Sequence, residues 1–432
     1  MPSNKISNYL GISSFGESHG TAIGVLIDGV IPNIPFPTAQ IIKALNRRRP
    51  HGTYSTSRLE EDQFEIVSGV FEGLTTGMPI CILIRNREYH TDDYDNLKDV
   101  FRPGHADFSW FNKFKIYDYR GGGRSSGRET VARVLAAELY RHFLPEVVFY
   151  YDTIRIGALT SDSVSYSTYL ESNPFYWNDS RGTTPLYSYL DDIKAQNDSV
   201  GGIVKICIGG IPVGLGDPVY EKLDANISKA LMSIGSVKGV LFGDGLELGM
   251  LRGSQVNDPI TPSGMSTNHL GGINGGISNG MPLTLSVVIR PIPSIGIEQQ
   301  TISQTGEPTV IQIQGRHDVC HVSRVIPVIE AMLIITLAEA LHMQGMINGA
   351  IPSLTDYRDD LDKIDEDIVL AIYRRKQIVD KVKQLKSEQN IAPLDTQREA
   401  AIFQNTTEFA EALGLNGAKA AEIIRQAIEI CR

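Results

Sequence analysis

Two textures of hydrophobic patterning divide the chain. From Met1 to about Ala350, short apolar runs rich in β-branched residues alternate with polar, glycine-containing stretches. Ala22–Ile27, Ile80–Ile84, Ile203–Ile208 and Leu283–Ile289 have strand length and are bounded by turn formers, which predicts β-strands. Between them the period changes to that of a helix. Val131, Val134, Leu135 and Leu139 share one helical face, as do Leu223, Ile227 and Leu231. Ile326, Ile329, Leu333, Leu337 and Leu341 mark a further buried helix, and Pro37-Thr38 opens another toward Arg47, with Thr38 as its cap. The mixture predicts an α+β domain of large sheets with helices packed on them. The stretch from about Ser161 to Ser199 is polar, with turn signals at Asn173-Pro174 and Thr184-Pro185. It reads as an exposed insertion without chemistry.

After Pro352 no glycine occurs until Gly414, and helix formers dominate. Thr355, followed by Asp356 and Asp359, is a good helix start. Leu361, Ile364, Ile368 and Ile372, continued by Val379, Val382 and Leu385, draw one apolar stripe. That helix would run about thirty residues, near 45 Å at about 1.5 Å per residue, and cannot bury its stripe alone. Pro393-Leu394-Asp395 starts a second helix that Gly414 ends, and Asn416-Gly417 opens a third. The expected organisation is an α+β domain over residues 1–352 and an all-α three-helix domain over 353–432.

Composition adds exclusions. With 42% hydrophobic and 21% charged residues in 432, the chain is globular and long enough for two domains. A formal charge of −10 argues against nucleic acid and anionic membrane as partners. Any anionic ligand must therefore meet a local basic cluster. Cys81, Cys207, Cys320 and Cys431 are far apart and form no metal-binding spacing. Together with the polar start of the chain, this predicts a reduced, cytoplasmic protein without metal.

Three segments set polar and charged residues among glycines, where no core argument needs them. Gly16-Glu17-Ser18-His19-Gly20 offers an imidazole able to protonate a leaving group near neutral pH, although taken alone it reads better as a plain loop histidine. Arg102-Pro103-Gly104-His105-Ala106-Asp107 brings a guanidinium, a second imidazole and a carboxylate into a proline-stiffened loop. Gly121-Gly122-Gly123-Arg124-Ser125-Ser126-Gly127-Arg128-Glu129 runs into the Val131 helix, a natural phosphate site unless it is a surface turn. Arg47-Arg48-Arg49, Arg58 and Gly315-Arg316-His317-Asp318 add cations. Separated arginine sites in an acidic chain suggest a polyanionic ligand, because the planar guanidinium grips carboxylate and phosphate at two points.

These motifs occur in order with RRRP, Thr56-Ser57-Arg58, SGVFEG, PVGLGDP, GGINGGISNG and GRHD, and the run over residues 5–345 resembles chorismate synthase. The resemblance implies an anti 1,4-elimination of phosphate from 5-enolpyruvylshikimate 3-phosphate, giving chorismate in the shikimate pathway. It implies reduced FMN as transient electron donor and then proton acceptor at N5, and a homotetramer. His19 would protonate the departing phosphate, His105 would donate a proton over the flavin, and Asp318 would assist deprotonation at N5. Arg48, Arg49, Arg58, Arg102 and Arg128 would hold the substrate. Arg124, Ser125, Ser126, Gly235, Ser236, Gly275, Arg290, Pro291, Ile292, Pro293, Ser294 and Arg316 would contact flavin. Two departures stand out. The segment Pro50–Tyr54 lacks an arginine that many family members carry, which falls where nicotinamide-nucleotide contacts near Arg48 are implied. Ile292 replaces a threonine, removing a flavin hydrogen bond of about 0.5–1.5 kcal/mol. No GxGxxG follows a strand and opens a helix, so the flavin is expected to be reduced externally.

In the tail, Arg375 and Lys386 lie eleven residues apart and so return to nearly one helical face, about 16 Å from each other. They could converge on a small dianion or form a solvated basic face. With Arg358, Asp395, Arg398 and Glu399 they match the site residues of the helical chorismate mutases, which residues 354–432 resemble. That resemblance implies rearrangement of chorismate to prephenate by conformational restraint and charge stabilisation. Arg358 would reach into a partner chain's site. The family's late serine falls at Cys431 and its next-turn glutamine beyond Arg432, so a non-catalytic chorismate-binding or dimerisation domain is the alternative.

Overall fold

β-Branched side chains pack well on a pleated surface and alternate between its faces, and the apolar runs of the first 350 residues form strands accordingly. A computed structural model describes residues 4–6, 10–50, 54–55, 62–86, 97–162, 166–168, 173–262, 264–313, 318–345, 354–389, 396–412 and 414–431. Strands β1 (Lys5–Ile6), β2 (Ile12–Gly16), β3 (Ala22–Ile27), β4 (Phe64–Ser68) and β5 (Ile80–Arg85) pair antiparallel in the order β1-β2-β3-β5-β4. Ile23, Val25 and Ile27 face Ile84, Ile82 and Ile80 across the β3–β5 register, and all six are buried. A second antiparallel sheet joins β6 (Val148–Ile156), β7 (Leu159–Thr160), β8 (Gly202–Gly209), β9 (Val237–Phe242) and β10 (Leu283–Ile289) in the order β9-β10-β8-β6-β7.

The helices of this unit are α1 (Thr38–Arg48), α2 (Asp107–Phe114), α3 (Thr130–Tyr140), α4 (Thr184–Ala195), α5 (Leu223–Met232) and α6 (Val322–Met343). α3 packs on α1, α6 and β3, and α5 packs on α6 and β9, so the helical layer touches both sheets. α6 is long and apolar enough to cross a membrane, but most of it is buried in this core.

Two local expectations change. Thr38 is the first helical residue rather than the cap; the cap is Pro37, which offers no side-chain acceptor. The region around residues 161–199 is not an exposed insertion. Phe175, Tyr176 and Trp177 are buried, and Leu186 and Leu190 of α4 join the same core. Thr153 donates to the Phe175 and Tyr176 carbonyls, which satisfies backbone acceptors as the aromatic triplet enters the core.

The chain divides into two compact units, Met1–Gly349 and Ala350–Arg432. The second is all helical: α7 (Leu354–Glu388), α8 (Thr396–Ala412) and α9 (Gly417–Ile430). Gly414 adopts a φ of 76° after α8, as a helix-ending glycine does. The Asn416 side chain then caps α9 by accepting from the Lys419 N–H at 2.9 Å.

Candidate active site

The last turn of α1 sends its three arginines to different places. Arg47 enters the helical core, where its Nη2 meets Glu330 at 2.7 Å. Arg48 is buried and places Nη2 2.8 Å from Asp62 Oδ2. The other oxygen of Asp62 takes a short contact from Arg128 Nη1. Burial alone would raise the Asp62 pKa, but the two guanidiniums overcome it and hold the carboxyl below its ordinary range. Among the described residues, Arg48 and Arg49 each bury an Nε–H with no hydrogen-bond acceptor. This corner is built to meet further negative charge.

The His19 loop lies beside it. Asn86, just past β5, accepts from Arg128 Nε at 3.4 Å and donates to the Glu17 and Gly20 carbonyls at 3.0 and 2.8 Å. His19 is itself buried, with Nδ1 3.0 Å from Ser18 Oγ. Gly121, Gly122 and Gly123 follow one another in left-handed conformation, with φ of 58°, 84° and 54°. A Cβ at Gly121 would come within 2.2 Å of His19 Cε1, so the glycine turn packs directly on the imidazole. The next glycine faces Arg102, whose Nη2 would lie 3.6 Å from a Cβ there. GESHG, RPGHAD and the glycine-rich turn are therefore brought together.

His105 occupies a second corner. Its Nδ1 lies 3.0 Å from the Pro103 carbonyl, which can only accept, so Nδ1 carries the proton. Nε2 then accepts from the Ser294 hydroxyl at 2.9 Å. Burial, reinforced by the Arg102 charge, pushes the His105 pKa down to about 4, leaving the ring neutral at pH 7. Gly104 packs on Pro293, and its carbonyl accepts from Arg290 Nη1 at 2.9 Å. The Arg290 N–H donates to the Ser236 carbonyl at 2.9 Å, while Gly235 has open space where a side chain would stand. Arg290 Nε is buried with no acceptor among the described residues.

Arg102 differs from the other expected anion holders. Its Nε and Nη2 grip Asp107 at 2.7 and 2.8 Å, so its fork is closed within its own loop. Asp318 pairs with Arg324 at 2.5 Å, and Arg324 also reaches the Arg48 carbonyl at 3.3 Å. His321, which sequence reasoning passed over, caps α6, and burial with the Arg324 and Arg290 charges lowers its pKa to about 3.

Other expected residues fall elsewhere. Gly275 sits in a hairpin whose next residue, Gly276, accepts from the Leu223 N–H at the start of α5, whereas Ser236 and Arg290 lie beyond its end. The ten residues of α5 separate them by about 15 Å. Within one chain Gly275 is thus not part of the Arg290 corner. Arg124 turns toward β2, with Nη2 2.8 Å from Ser14 Oγ and Nη1 3.3 Å from the Gly16 carbonyl. It lines a cavity of about 450 Å³ floored by Met332, Ile335 and Met343, which His19, His105 and Asp318 do not line. Ser125 donates to the Gly122 carbonyl and Ser126 accepts from the Arg128 N–H, so both hydroxyls shape the turn. Pro291 and Ile292 continue the loop to Ser294, and Ile292 accepts from Ser199 Oγ at 2.6 Å. Arg58, Arg316 and Asp395 lie outside the described residues. No cluster of three or more potential metal ligands exists among the described residues.

In the helical unit, Ile372, Arg375, Val379 and Lys386 of α7 are half-buried, while Arg374, Lys376, Lys381 and Lys383 are exposed. Arg375 and Lys386 therefore share a face turned inward. Glu399 is half-buried, and Arg358 and Arg398 are exposed. Cys431 is buried, with Sγ 3.6 Å from the Ile372 carbonyl.

Known proteins align with this division. Residues 10–342 match the family model for chorismate synthase, and residues 357–432 match that for chorismate mutase type II. Chorismate synthase of Syntrophus aciditrophicus (strain SB) is 45% identical over 354 residues, covering 80% of this chain and 99% of that protein. Chorismate synthase of Syntrophobacter fumaroxidans (strain DSM 10017 / MPOB) is 43% identical over 343 residues, covering 78% and 97%. A crystal structure of chorismate synthase superposes with a TM-score of 0.60 at 28% identity, covering 78% of this chain and 93% of that one. These relatives are spanned almost end to end while about a fifth of this chain stays outside the match. The chain belongs to the chorismate synthase family and carries a C-terminal chorismate mutase type II domain.

Proposed function

We propose that the first unit eliminates phosphate from 5-enolpyruvylshikimate 3-phosphate with reduced FMN bound, and that the second rearranges the resulting chorismate to prephenate. The observation that carries this reading is the meeting of His19, the glycine turn and the Arg48–Asp62–Arg128 cluster at one corner. A substrate with one phosphate and two carboxylates needs several cations in fixed positions. Arg48, Arg49 and Arg128 supply them, with Arg58 assigned by the family likeness, and His19 stands beside the cluster to protonate the leaving phosphate. Arg102, committed to Asp107, acts through its charge and by fixing the His105 loop.

The His105 corner fits a flavin. Arg290 offers a buried N–H without acceptor, Gly235 leaves open space, and the Pro103 carbonyl holds the imidazole in one tautomer with Ser294 on its other nitrogen. Reduced FMN, when bound, supplies an electron-rich ring and a proton acceptor at N5. Because Nδ1 is committed to Pro103, His105 can gain and pass on a proton only through Nε2, with the Ser294 hydroxyl as its neighbour. An arriving anion would raise its pKa from about 4, so that it could hold a proton to pass on nearer neutral pH. Asp318, steadied by Arg324, stands as the accompanying base. The assembly expected from the family likeness is a cytoplasmic homotetramer without nucleic acid or membrane partners.

In the second unit the inward face of Arg375 and Lys386 would hold the two carboxylates of chorismate, with Arg398 and Glu399 beside them. The exposed stripe of Leu361, Ile364 and Ile368 supports a second copy packing on α7 and Arg358 entering its site. One observation favours a binding or dimerisation role instead: Cys431 turns its thiol to a backbone carbonyl.

Chorismate and prephenate measured together from the full chain, supplied with substrate and chemically reduced FMN, test both halves. His105→Ala should slow chorismate formation by about 10²–10⁴-fold while FMN still binds. Arg375→Ala should cut prephenate formation by about 10²–10³-fold and leave chorismate formation unchanged. Near-normal chorismate turnover in the first variant counts against the assignment of His105. Absence of prephenate at saturating chorismate in the unaltered chain selects the binding-domain reading.

A further inference from the structure

We propose that Asp62 and Asn86 are positioning residues that tie the anion-holding arginines to the His19 loop, so that anion and imidazole are held in register. The inference rests on the site reading above and deepens it. Asp62 is buried, its side chain wholly so, and gives one oxygen to Arg48 and the other to Arg128. Two guanidiniums that repel one another are thereby fixed on a common carboxylate. Each keeps a defined edge, and the trio keeps a net positive charge for a ligand.

Asn86 extends the connection. Its Oδ1 accepts from Arg128 Nε, and its Nδ2 donates to the carbonyls of Glu17 and Gly20, the residues that bracket Ser18-His19. Two carbonyls on one side and a guanidinium on the other leave a single sensible orientation of the amide. The Gly20 N–H closes the turn on the Glu17 carbonyl at 3.1 Å, and the Asn86 N–H is anchored on the Thr21 carbonyl at 3.2 Å. A continuous chain of polar contacts thus runs Arg48–Asp62–Arg128–Asn86–His19 turn. The other buried pairs of the unit behave differently. Arg102–Asp107 closes within one loop, and Arg47–Glu330 joins Arg141 and Tyr151 in the helical core.

Register matters because a proton donor displaced by about 1 Å from its target can lose about 10²-fold in rate. Asn86→Ala removes the bond between Arg128 and the turn without touching a charge. It should lower kcat by about 10–100-fold while KM for 5-enolpyruvylshikimate 3-phosphate stays within about twofold. Asp62→Asn keeps the shape but removes a negative charge from beside two arginines. It should bind inorganic phosphate as tightly as the unaltered enzyme or tighter, while kcat falls. If both act through one chain, the double variant should lose little more kcat than the worse single variant.

Phosphate titration of the FMN-loaded full chain, with Arg128→Ala as reference, separates the possible failures. If Arg128→Ala leaves phosphate affinity unchanged, the site reading itself fails. If Arg128→Ala weakens phosphate but Asn86→Ala leaves kcat within about twofold of normal, the positioning role is overturned and the site reading stands. Strictly multiplicative losses in the double variant would also overturn it. Should Asp62→Asn not fold, the kcat-against-KM split of Asn86→Ala decides alone.

Discussion

In the first unit the carboxylates of Asp62 and Glu330 are buried, each shared between two guanidiniums, with further hydroxyl or amide groups completing the surroundings. In the second unit the buried described residues are Ala410, Gly417, Ala427, Ile428 and Cys431, and among the described residues no charged side chain is fully buried. Much of the apolar stripe of α7 is exposed, with Leu361 at 59% and Ile364 at 54%, while Ile372 and Val379 are half-buried. A sheet-and-helix core can close around ions, because many elements converge on each one. Three helices bury less around each charge, and under the proposed reading a covering partner would complete the second site. The first unit carries its specificity inside one chain; the second leaves part of it to a surface.

Removing a buried charge should therefore strike one unit only. Glu330 accepts from Arg47, Arg141 and Tyr151, and those cations hold its pKa down to about 2 despite burial. Glu330→Ala strands two guanidiniums in the helical core and should cost about 3–5 kcal/mol. Urea unfolding, followed by tryptophan fluorescence and far-UV circular dichroism, should show an early transition for the first unit. The helical unit should melt where it did before. Both transitions moving together would show that the units are not independent, and the contrast would fail.

The same contrast should appear with pH. His105 titrates near 4 in the folded chain against about 6.5 unfolded, so the unfolded chain binds more protons between those values. The first unit should be at full stability above pH 6.5 and lose it as pH falls toward 4. At about 1.4 kcal/mol per unit, this one group accounts for something on the order of 3 kcal/mol. Glu330 adds a second loss only at lower pH, as the medium falls from about 4.5 toward 2. His321, held near 3, loses stability over the same range, so His105→Gln should reduce the first slope without abolishing it and leave the second. An unchanged slope above pH 4 would mean that His105 is not the group held neutral.

What the sequence made legible follows from how local each signal is. The strands Ala22–Ile27 and Leu283–Ile289 and the helices opening at Asn416 and ending at Gly414 are written in neighbouring residues, and they form as expected. The glycine loops stood out because charge among glycines has no use in a core. Asp62 did not. It follows Glu60 and Glu61 and resembles a solvated acidic patch, and its partners lie 14 and 66 residues away. Asn86 stands in the polar run Arg85–Glu88 that ends a strand, and its role exists only once Arg128 and the Gly20 turn are brought to it. Tyr176 and Trp177 were hidden by polar neighbours that satisfy the local backbone. Gly275 and Arg290 meet opposite ends of α5, which spacing along the chain does not reveal.

The smallest effect tests whether the helical unit depends on its own local signals or on its covering. Asn416 Oδ1 accepts from the Lys419 N–H at 2.9 Å, and Gly417 begins α9 directly behind it. α9 has little buried surface of its own beyond Gly417, Ala427 and Ile428. A cap should therefore count for more here than in the first unit, where packing would mask it. Asn416→Ala should cost about 1 kcal/mol, the typical value for losing such a cap. It should lower the helical transition by that amount and leave the first unit's transition in place. Asn416→Asp, which keeps the acceptor and adds charge favourable to a helix N-terminus, should restore it. A loss well above that value would mean that α9 is the element on which the unit's remaining packing depends. No measurable loss would mean that a covering partner, rather than the cap, holds α9 in place.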